Sequence, residues 1–302
     1  MKIAYLILGH RNPRLIKKAV ECLACDDAAF FIHIDAKFSL EPFNDIRGEK
    51  VFFIEDRRPV YWGEFSQTEA IFLLTQRALA APQRHDYFVL MSGSDFPLRS
   101  GLYIRDFLAA NQGREFISMI KLPGPGMPLS RINTIRFPST RPVLRFIFRA
   151  LAKMGFAQRD YRKYLGSMEP YTGHTWWALS RAACEYIIST RQRQPELERF
   201  YENTHASDET LIHTILGNSP FKSKIRRHLV FEDWHSPAHH PEMINAQHLE
   251  YFESQNKVAP RDAHGPGEML FARKFSDENM ALVERVAAMI AKKENSPQVK
   301  AN

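Results

Sequence analysis

The 302-residue chain holds only three cysteines, Cys22, Cys25 and Cys184, too few for a disulfide framework. No apolar run approaches the roughly 20 residues of a membrane-spanning helix. The short stretch Ile3 to Gly9 is not followed by the small-residue cleavage site of a signal peptide. These absences predict a cytoplasmic, unprocessed protein. Cys22 and Cys25 form a C-x-x-C, but within a helical pattern (Ile16, Ala19, Val20, Leu23) and with no second pair downstream. They read as buried helix cysteines rather than a redox or metal half-site. Asp-x-Asp, an acidic motif that holds a divalent cation through hard oxygen ligands, occurs nowhere. Repeats, clear linkers and recognised nucleic-acid motifs are absent too, which points to one domain with a decorated second half.

What is present is a globular composition, 44% hydrophobic and 25% charged, able to bury a full core, which excludes disorder. The net charge is +7 and suits an anionic partner. Ile3–Leu8 is a continuous apolar run, as expected of a strand buried on both faces. Gly9-His10-Arg11-Asn12-Pro13 breaks it, and a helical pattern follows through Leu23. Further strands are predicted at Phe30–Ile34, Val51–Ile54 and Tyr87–Met91, with a long amphipathic helix over Glu64–Leu79. Alternating strands and helices imply an α/β fold with a mostly parallel sheet and right-handed crossovers. Ligands of such sheets bind beyond the carboxyl ends of the strands. The chemistry is therefore expected in Gly9–Asn12, Asp35–Lys37, Arg58–Gly63 and Ser92–Arg99.

The second half reads differently. Lys121–Pro142, rich in Pro and Gly, is predicted as a long functional loop, and Arg131 in it is a candidate acceptor-binding residue. Arg141–Lys163 mixes Leu144, Phe146, Ile147, Phe148 and Leu151 with Arg141, Arg145 and Arg149 at four-residue spacing. A helix with a solvated basic side is the ordinary reading, and a surface helix against anionic lipid is the sharper one. A strand is expected at Trp176–Leu179, helices at Arg181–Arg191, from Ser207 to Gly217 and at Asp277–Lys292, and a further strand at Leu229–Phe231.

Several groups could carry chemistry. His33, Asp35 and Lys37 alternate at a strand end, where an acid can hydrogen-bond a base or ribose edge and a solvated strand end explains the pattern equally well. Asp95 in Ser92-Gly93-Ser94-Asp95 is a poor metal site by itself. A bound diphosphate would then need side-chain cations, which Arg273 and Lys274 offer, unless they are a solvated pair on a terminal strand. Ser207 or Asp208 is expected to cap a helix, with Asp208 or Glu209 as a general base the competing possibility. Trp176, Trp177 and Trp234 are candidates for stacking on a sugar against a commoner role in the core. His235, His239 and His240 are assigned to a loop, not a zinc site.

In this order, YLILGH (Tyr5–His10), FIHIDAK (Phe31–Lys37), VYWGEFSQTEA (Val60–Ala70), YFVLMSGSDFPLR (Tyr87–Arg99), GHTWWALSR (Gly173–Arg181), SDETLIHTILGNS (Ser207–Ser219) and FARKF (Phe271–Phe275) resemble the core-2/I-branching enzyme and peptide O-xylosyltransferase family of glycosyltransferases. The resemblance implies a GT-A-type, Rossmann-like domain over residues 1–293. Its nucleotide-binding part spans about 1–115, its acceptor and catalytic part about 116–276 and its C-terminal helix 277–293, before a flexible tail at 294–302. It implies inverting, metal-independent transfer from a UDP-sugar, with no cofactor, to a hydroxyl of a glycan or glycolipid; N-acetylglucosamine and xylose both occur as donor sugars in the family, and other sugars are possible. Leu8, His10, Asp35 and Tyr61, with Asp95, would serve the donor. Glu209 would be the base, and Lys274, helped by Arg273, would steady the departing diphosphate, with Arg261 a candidate second cation. The absence of an anchor resembles a bacterial form working at the inner face of the membrane, in peripheral contact with anionic lipid. Competing classes are a basic nucleic-acid-binding protein, whose binding would fall steeply with salt, a nucleotidyltransferase, which would need acidic metal ligands, and a non-catalytic sugar-binding module.

Overall fold

The computed structural model describes residues 1–235, 240–260 and 265–294. His239, Arg261 and the tail from 295 onward lie outside the described residues, while Glu294 still belongs to the last helix. The first half runs β1 (Ile3–Gly9), α1 (Pro13–Leu23), β2 (Ala28–Ile34), β3 (Val51–Phe53), α2 (Phe65–Leu79), β4 (Tyr87–Ser92), β5 (Asp95–Pro97) and α3 (Gly101–Ala110). Then come β6 (Glu115–Phe116), β7 (Met119–Lys121), α4 (Ser130–Asn133), α5 (Pro142–Lys153), α6 (Arg162–Leu165), β8 (Tyr171–Gly173) and β9 (Ala178–Ser180). The chain continues through α7 (Arg181–Arg193), α8 (Pro195–Glu202), α9 (Leu211–Gly217), β10 (Ile225–Arg226), β11 (Val230–Glu232), α10 (Ala246–Ser254), β12 (Phe271–Arg273) and α11 (Met280–Glu294).

The central sheet has the order β10-β6-β9-β4-β1-β2-β3. β1 lies parallel between β2 and β4, and only β9 runs against its neighbours β4 and β6. Every residue of β1 and β2 is buried, which is why both read as unbroken apolar runs rather than alternating ones. After β3 the chain crosses over to place β4 on the other side of β1. That reversal opens a crevice beyond the carboxyl ends of β1 and β4. Gly9 and Gly93 let the backbones meet there, since a Cβ on Gly93 would sit 3.1 Å from the Gly9 Cα.

Two hydrophobic cores flank α1. Ile16, Val20 and Leu23 pack toward the central sheet, whereas Leu15 and Ala19 join Phe96, Phe252, Phe275 and Val286 in a second core. That core supports a three-stranded sheet of order β11-β12-β5, in which β12 is the middle strand.

The second half departs from expectation in three places. The loop predicted over Lys121–Pro142 contains the single turn α4 and the end of β7. The predicted helix from Ser207 is interrupted: Ser207–Glu209 is one 3-10 turn, Thr210 leaves helical geometry at φ −132°, and α9 starts afterwards. Finally, α5 buries none of its residues. Its basic side, with Arg145, Arg149 and Lys153, lines a cavity of about 570 Å³, while Val143, Phe146 and Ile147 face outward. The basic side is nevertheless solvated, as its ordinary reading expects, since Arg145, Arg149 and Lys153 are all exposed; what differs is that the apolar side is exposed too. Amphipathic spacing separates two faces without saying which the fold covers. The cysteines are free; Cys22 is half-buried on α1, and Cys25, also half-buried, lies past the end of the helix.

Candidate active site

One group of the expected site residues gathers where β1 and β2 finish. Leu8 is buried near the end of β1, and His10 follows it, exposed, with its ring 5.3 Å from that of Phe38. The Asp35 N–H donates to the Gly9 carbonyl at 2.8 Å, which sets Asp35 beside His10. Asp35 accepts the Lys37 N–H at 3.0 Å and the Val60 N–H at 3.2 Å, while the Lys37 ammonium reaches its other oxygen at 2.6 Å. Burial alone would raise this carboxyl, but these bonds outweigh it and hold the pKa low. The same ammonium lies 4.3 Å from the centre of the Tyr61 ring. Leu8, His10, Asp35 and Tyr61 are thus brought together. His33 is not part of the set: it is fully buried and accepts the Arg58 N–H at 2.8 Å, and burial depresses its pKa to about 4.

In many nucleotide-binding sheets the first helix offers its free N–H groups to phosphate. Here Asp277 occupies that position, accepting from Leu15 N–H at 2.8 Å and Arg14 N–H at 3.2 Å. Asn12, in left-handed geometry at φ 62°, reaches the Gly93 carbonyl at 3.2 Å and accepts the Asp277 N–H at 3.3 Å. The helix start is thereby closed by the protein's own carboxylate.

The two cations singled out in the sequence, Arg273 and Lys274, stand on or beside the small sheet. Strand register places Glu232 beside Arg273 and Arg273 beside Asp95, so three charges share one rung. Arg273 Nε lies 3.3 Å from Asp95 Oδ1, one guanidinium nitrogen lies 3.5 Å from Glu232 Oε1, and the guanidinium stacks 4.6 Å above Trp176. Asp95 also accepts from the Ser92 N–H and hydroxyl at 2.7 and 2.6 Å, closing the turn after β4. Its pKa is raised, because burial outweighs the help from Arg273. For Glu232 the balance is opposite: against burial, His174, Arg273 and Trp234 hold it low. Lys274, the next residue, is half-buried, and no ion pair with it is found among the described residues. Burial and then the neighbouring Arg273 charge lower its pKa. The reading of a solvated charged pair on a terminal strand does not hold, since β12 is the middle strand and the Arg273 side chain is largely buried between Asp95, Glu232 and Trp176.

The acidic corner is built by α2. Ala206 takes a left-handed φ of 52°, a costly conformation for a residue with a Cβ, and donates its N–H to the Gly63 carbonyl at 2.9 Å. The Ser207 hydroxyl lies 2.8 Å from that of Thr68, and Asp208 accepts from Gln67 and from Thr175, each at 2.8 Å. Neither Ser207 nor Asp208 caps the turn, because tertiary partners have claimed their oxygens. Burial, and then the adjacent Glu209 charge, push the Asp208 carboxyl up. Glu209 is partly exposed and forms an ion pair with Arg131. Arg131, expected among acceptor contacts, is therefore first of all the partner of Glu209.

Three consecutive residues join the two corners. His174 Nε2 is 2.7 Å from Glu232, the Thr175 hydroxyl donates to Asp208, and Trp176 lies under Arg273. Gly173 heads this strut because the Ser118 carbonyl oxygen would lie 1.9 Å from any Cβ there. Of the expected sugar platforms, Trp177 is enclosed in the main core and the buried Trp176 ring is covered by Arg273. Only Trp234, 55% exposed, presents a surface; its indole N–H donates to Glu232 beside a cavity of about 680 Å³ lined also by His174, His228 and Tyr251. His235 pairs with Asp233 and His240 with the Pro241 carbonyl. Among the described residues no group of three or more His, Cys, Asp or Glu could hold a metal ion. Glu232, Thr175, Gln67, Thr68 and Asp277 were not foreseen as site residues. Gln67, Thr68 and Thr175 lie inside motifs recognised in the sequence, but their tertiary partners are 33 to 141 residues away.

A model of the family described as "Core-2/I-Branching enzyme" matches residues 3–256. Xylosyltransferase 2 of Rattus norvegicus is 25% identical over 243 residues, covering 78% of this chain and 27% of that protein. The Drosophila melanogaster protein named Xylosyltransferase oxt is 23% identical over 240 residues, covering 72% of this chain and 24% of that protein. The chain thus spans about a quarter of the length of these curated relatives. Among solved structures, a 2-C-methyl-D-erythritol 4-phosphate cytidylyltransferase from Thermus thermophilus aligns at a TM-score of 0.30 and 11% identity, over 69% of this chain and 91% of that one. That likeness is too distant to bear on the site.

Proposed function

Because the chain belongs to the Core-2/I-branching enzyme family, we propose that it transfers a sugar, N-acetylglucosamine or xylose, from a UDP-sugar to a hydroxyl of a glycan or glycolipid, with inversion and without a metal ion. The acceptor oxygen attacks the anomeric carbon as the bond to the diphosphate breaks, and the bonding electron pair leaves with UDP. Glu209 takes the acceptor's proton. The negative charge that grows on the diphosphate is stabilised by the Lys274 ammonium.

The observation that carries this reading is the unequal treatment of two adjacent cations. Arg273 is balanced by Asp95 and Glu232 and stacked on Trp176, so it shapes the corner. Lys274 stands beside it without an ion pair among the described residues, half out of water, next to the turn that ends β4. A half-buried ammonium without an anion is poorly solvated, and a diphosphate would satisfy it. The closed N-terminus of α1 supports the same assignment. Arg131, the ion-pair partner of Glu209, must yield as the acceptor hydroxyl arrives.

The test is a panel of UDP-sugars, scored for thermal stabilisation of the protein and for slow donor hydrolysis, with excess EDTA in one series and manganese in another. One UDP-sugar should stabilise the protein and be hydrolysed equally in both series. Strict dependence on manganese would contradict the metal-free reading, and indifference to every UDP-sugar would contradict the donor class.

A further inference from the structure

The 24 residues from Arg136 to Arg159 carry six cations, Arg136, Arg141, Arg145, Arg149, Lys153 and Arg159, and no Asp or Glu. Within this segment lies α5, about 18 Å long at 1.5 Å per residue. Val143, Ile147 and Met154 recur on one side of it at spacings of four and seven, with Phe146 beside them. The opposite side, with Arg145, Phe148 and Arg149, lines the cavity against the rest of the molecule. The outward side is bare: Phe146 is 75% exposed, Val143 70%, Met154 67%, and Phe156 just beyond the helix 71%. This is the largest concentration of exposed apolar side chains among the described residues, and it sits inside the most basic stretch of the chain.

We infer that the outer face of α5 docks on an anionic membrane surface, its apolar side chains entering the headgroup–acyl boundary while Arg141 at its start meets lipid phosphates and the exposed Arg145, Arg149 and Lys153 on its other side add attraction at longer range. Such a helix lies in the interface plane, driven by apolar burial and by attraction to anionic lipid together. None of the described helices is long and apolar enough to cross a membrane, so the contact is peripheral. A second copy of the chain fits the face poorly. A two-fold interface places the same patch on both sides and would press the basic segment against itself, with no acid within it to compensate. Nucleic acid would engage the cations and leave the bare Phe146 and Met154 in water. The inference concerns a surface and stands whether or not the donor and base are assigned correctly.

The test uses the full chain and sedimentation with phosphatidylcholine vesicles, with and without phosphatidylglycerol. The wild type should pellet with the anionic vesicles at low salt and much less at high salt. A Phe146→Asp/Ile147→Asp double variant should partition at least tenfold less, with unchanged circular dichroism and melting temperature, because both side chains are exposed. Phe146→Trp should show blue-shifted emission when anionic vesicles are added. Three results would each overturn the inference: no pelleting of the wild type, pelleting unaffected by the double variant, or a wild-type dimer in solution that the double variant converts to a monomer.

Discussion

At the acidic corner, Asp208 is buried and holds Gln67 and Thr175, while its neighbour Glu209 is presented at the surface. At the cationic corner, Arg273 is locked to Asp95, Glu232 and Trp176, while its neighbour Lys274 is presented. Each corner ties one residue into the structure, and in the proposed reaction the next is the one that acts; the strut His174-Thr175-Trp176 grips the structural member of each. The corners differ in how the presented group is kept. Glu209 has a partner in Arg131, on the short helix α4, whereas no counter-ion for Lys274 is found among the described residues. In the proposed reaction Lys274 receives a dianion, and a resident carboxylate would have to be displaced first.

The comparison can be broken most forcefully at Glu209. Glu209→Gln should retain UDP binding and lower the transfer rate about 10²–10⁴-fold, the usual contribution of a positioned base, in a steady-state assay. Near-normal turnover would remove Glu209 from the mechanism. Next in size is a stability effect at the scaffold cation. Arg273→Met strands the buried Asp95 and Glu232 carboxylates, and denaturant unfolding should show a loss of about 3–5 kcal/mol. Arg273→Lys should recover part of it.

At the presented cation, Lys274→Met should slow transfer about 10²-fold with little change in melting temperature, the inverse of the Arg273 result. Its pKa lies below the 10.5 of an ordinary lysine, so it sheds its proton as pH rises sooner than a free lysine would. Activity should therefore decline early on the alkaline side, and Lys274→Arg should move that decline to higher pH. A profile identical for Lys and Arg would detach the titration from this residue. The smallest effect is expected at Asp208. Burial raises its carboxyl above the unfolded value, so the stability it contributes is present in acid and lost as pH rises through the folded value. Asp208→Asn, which keeps an oxygen for Gln67 and Thr175, should leave stability at neutral pH unchanged or higher by up to about 1 kcal/mol. A marked loss, followed by thermal melts across pH, would show that the charge itself is needed.

The parallel sheet was readable because β1, β2 and β4 are buried on both faces and so must be apolar throughout. Crevice residues such as His10, Asp35 and Asp95 were readable because a strand's end marks its carboxyl edge. The roles of adjacent residues were not. Arg273 and Lys274 look alike in sequence, and only the register of β12 against β5 and β11 shows that one is consumed. Likewise Ser207 and Asp208 have the composition of a cap, and the hydroxyl of Thr68 and the amide of Gln67 divert them. Helix α5 was half readable: its basic side is solvated, as its spacing suggests, but its apolar side is exposed as well, because the molecule shields the helix only partly, at Phe148, Leu151 and Ala152.

The central claim, that Lys274 supplies the charge a diphosphate needs, is tested most directly by calorimetric titration of UDP and of uridine into the wild type and Lys274→Met, with EDTA present throughout. Weaker UDP binding by the variant, with uridine affinity unchanged, is the result predicted. Equal UDP affinity in the two proteins, or UDP binding by the wild type only when manganese is restored, would contradict it.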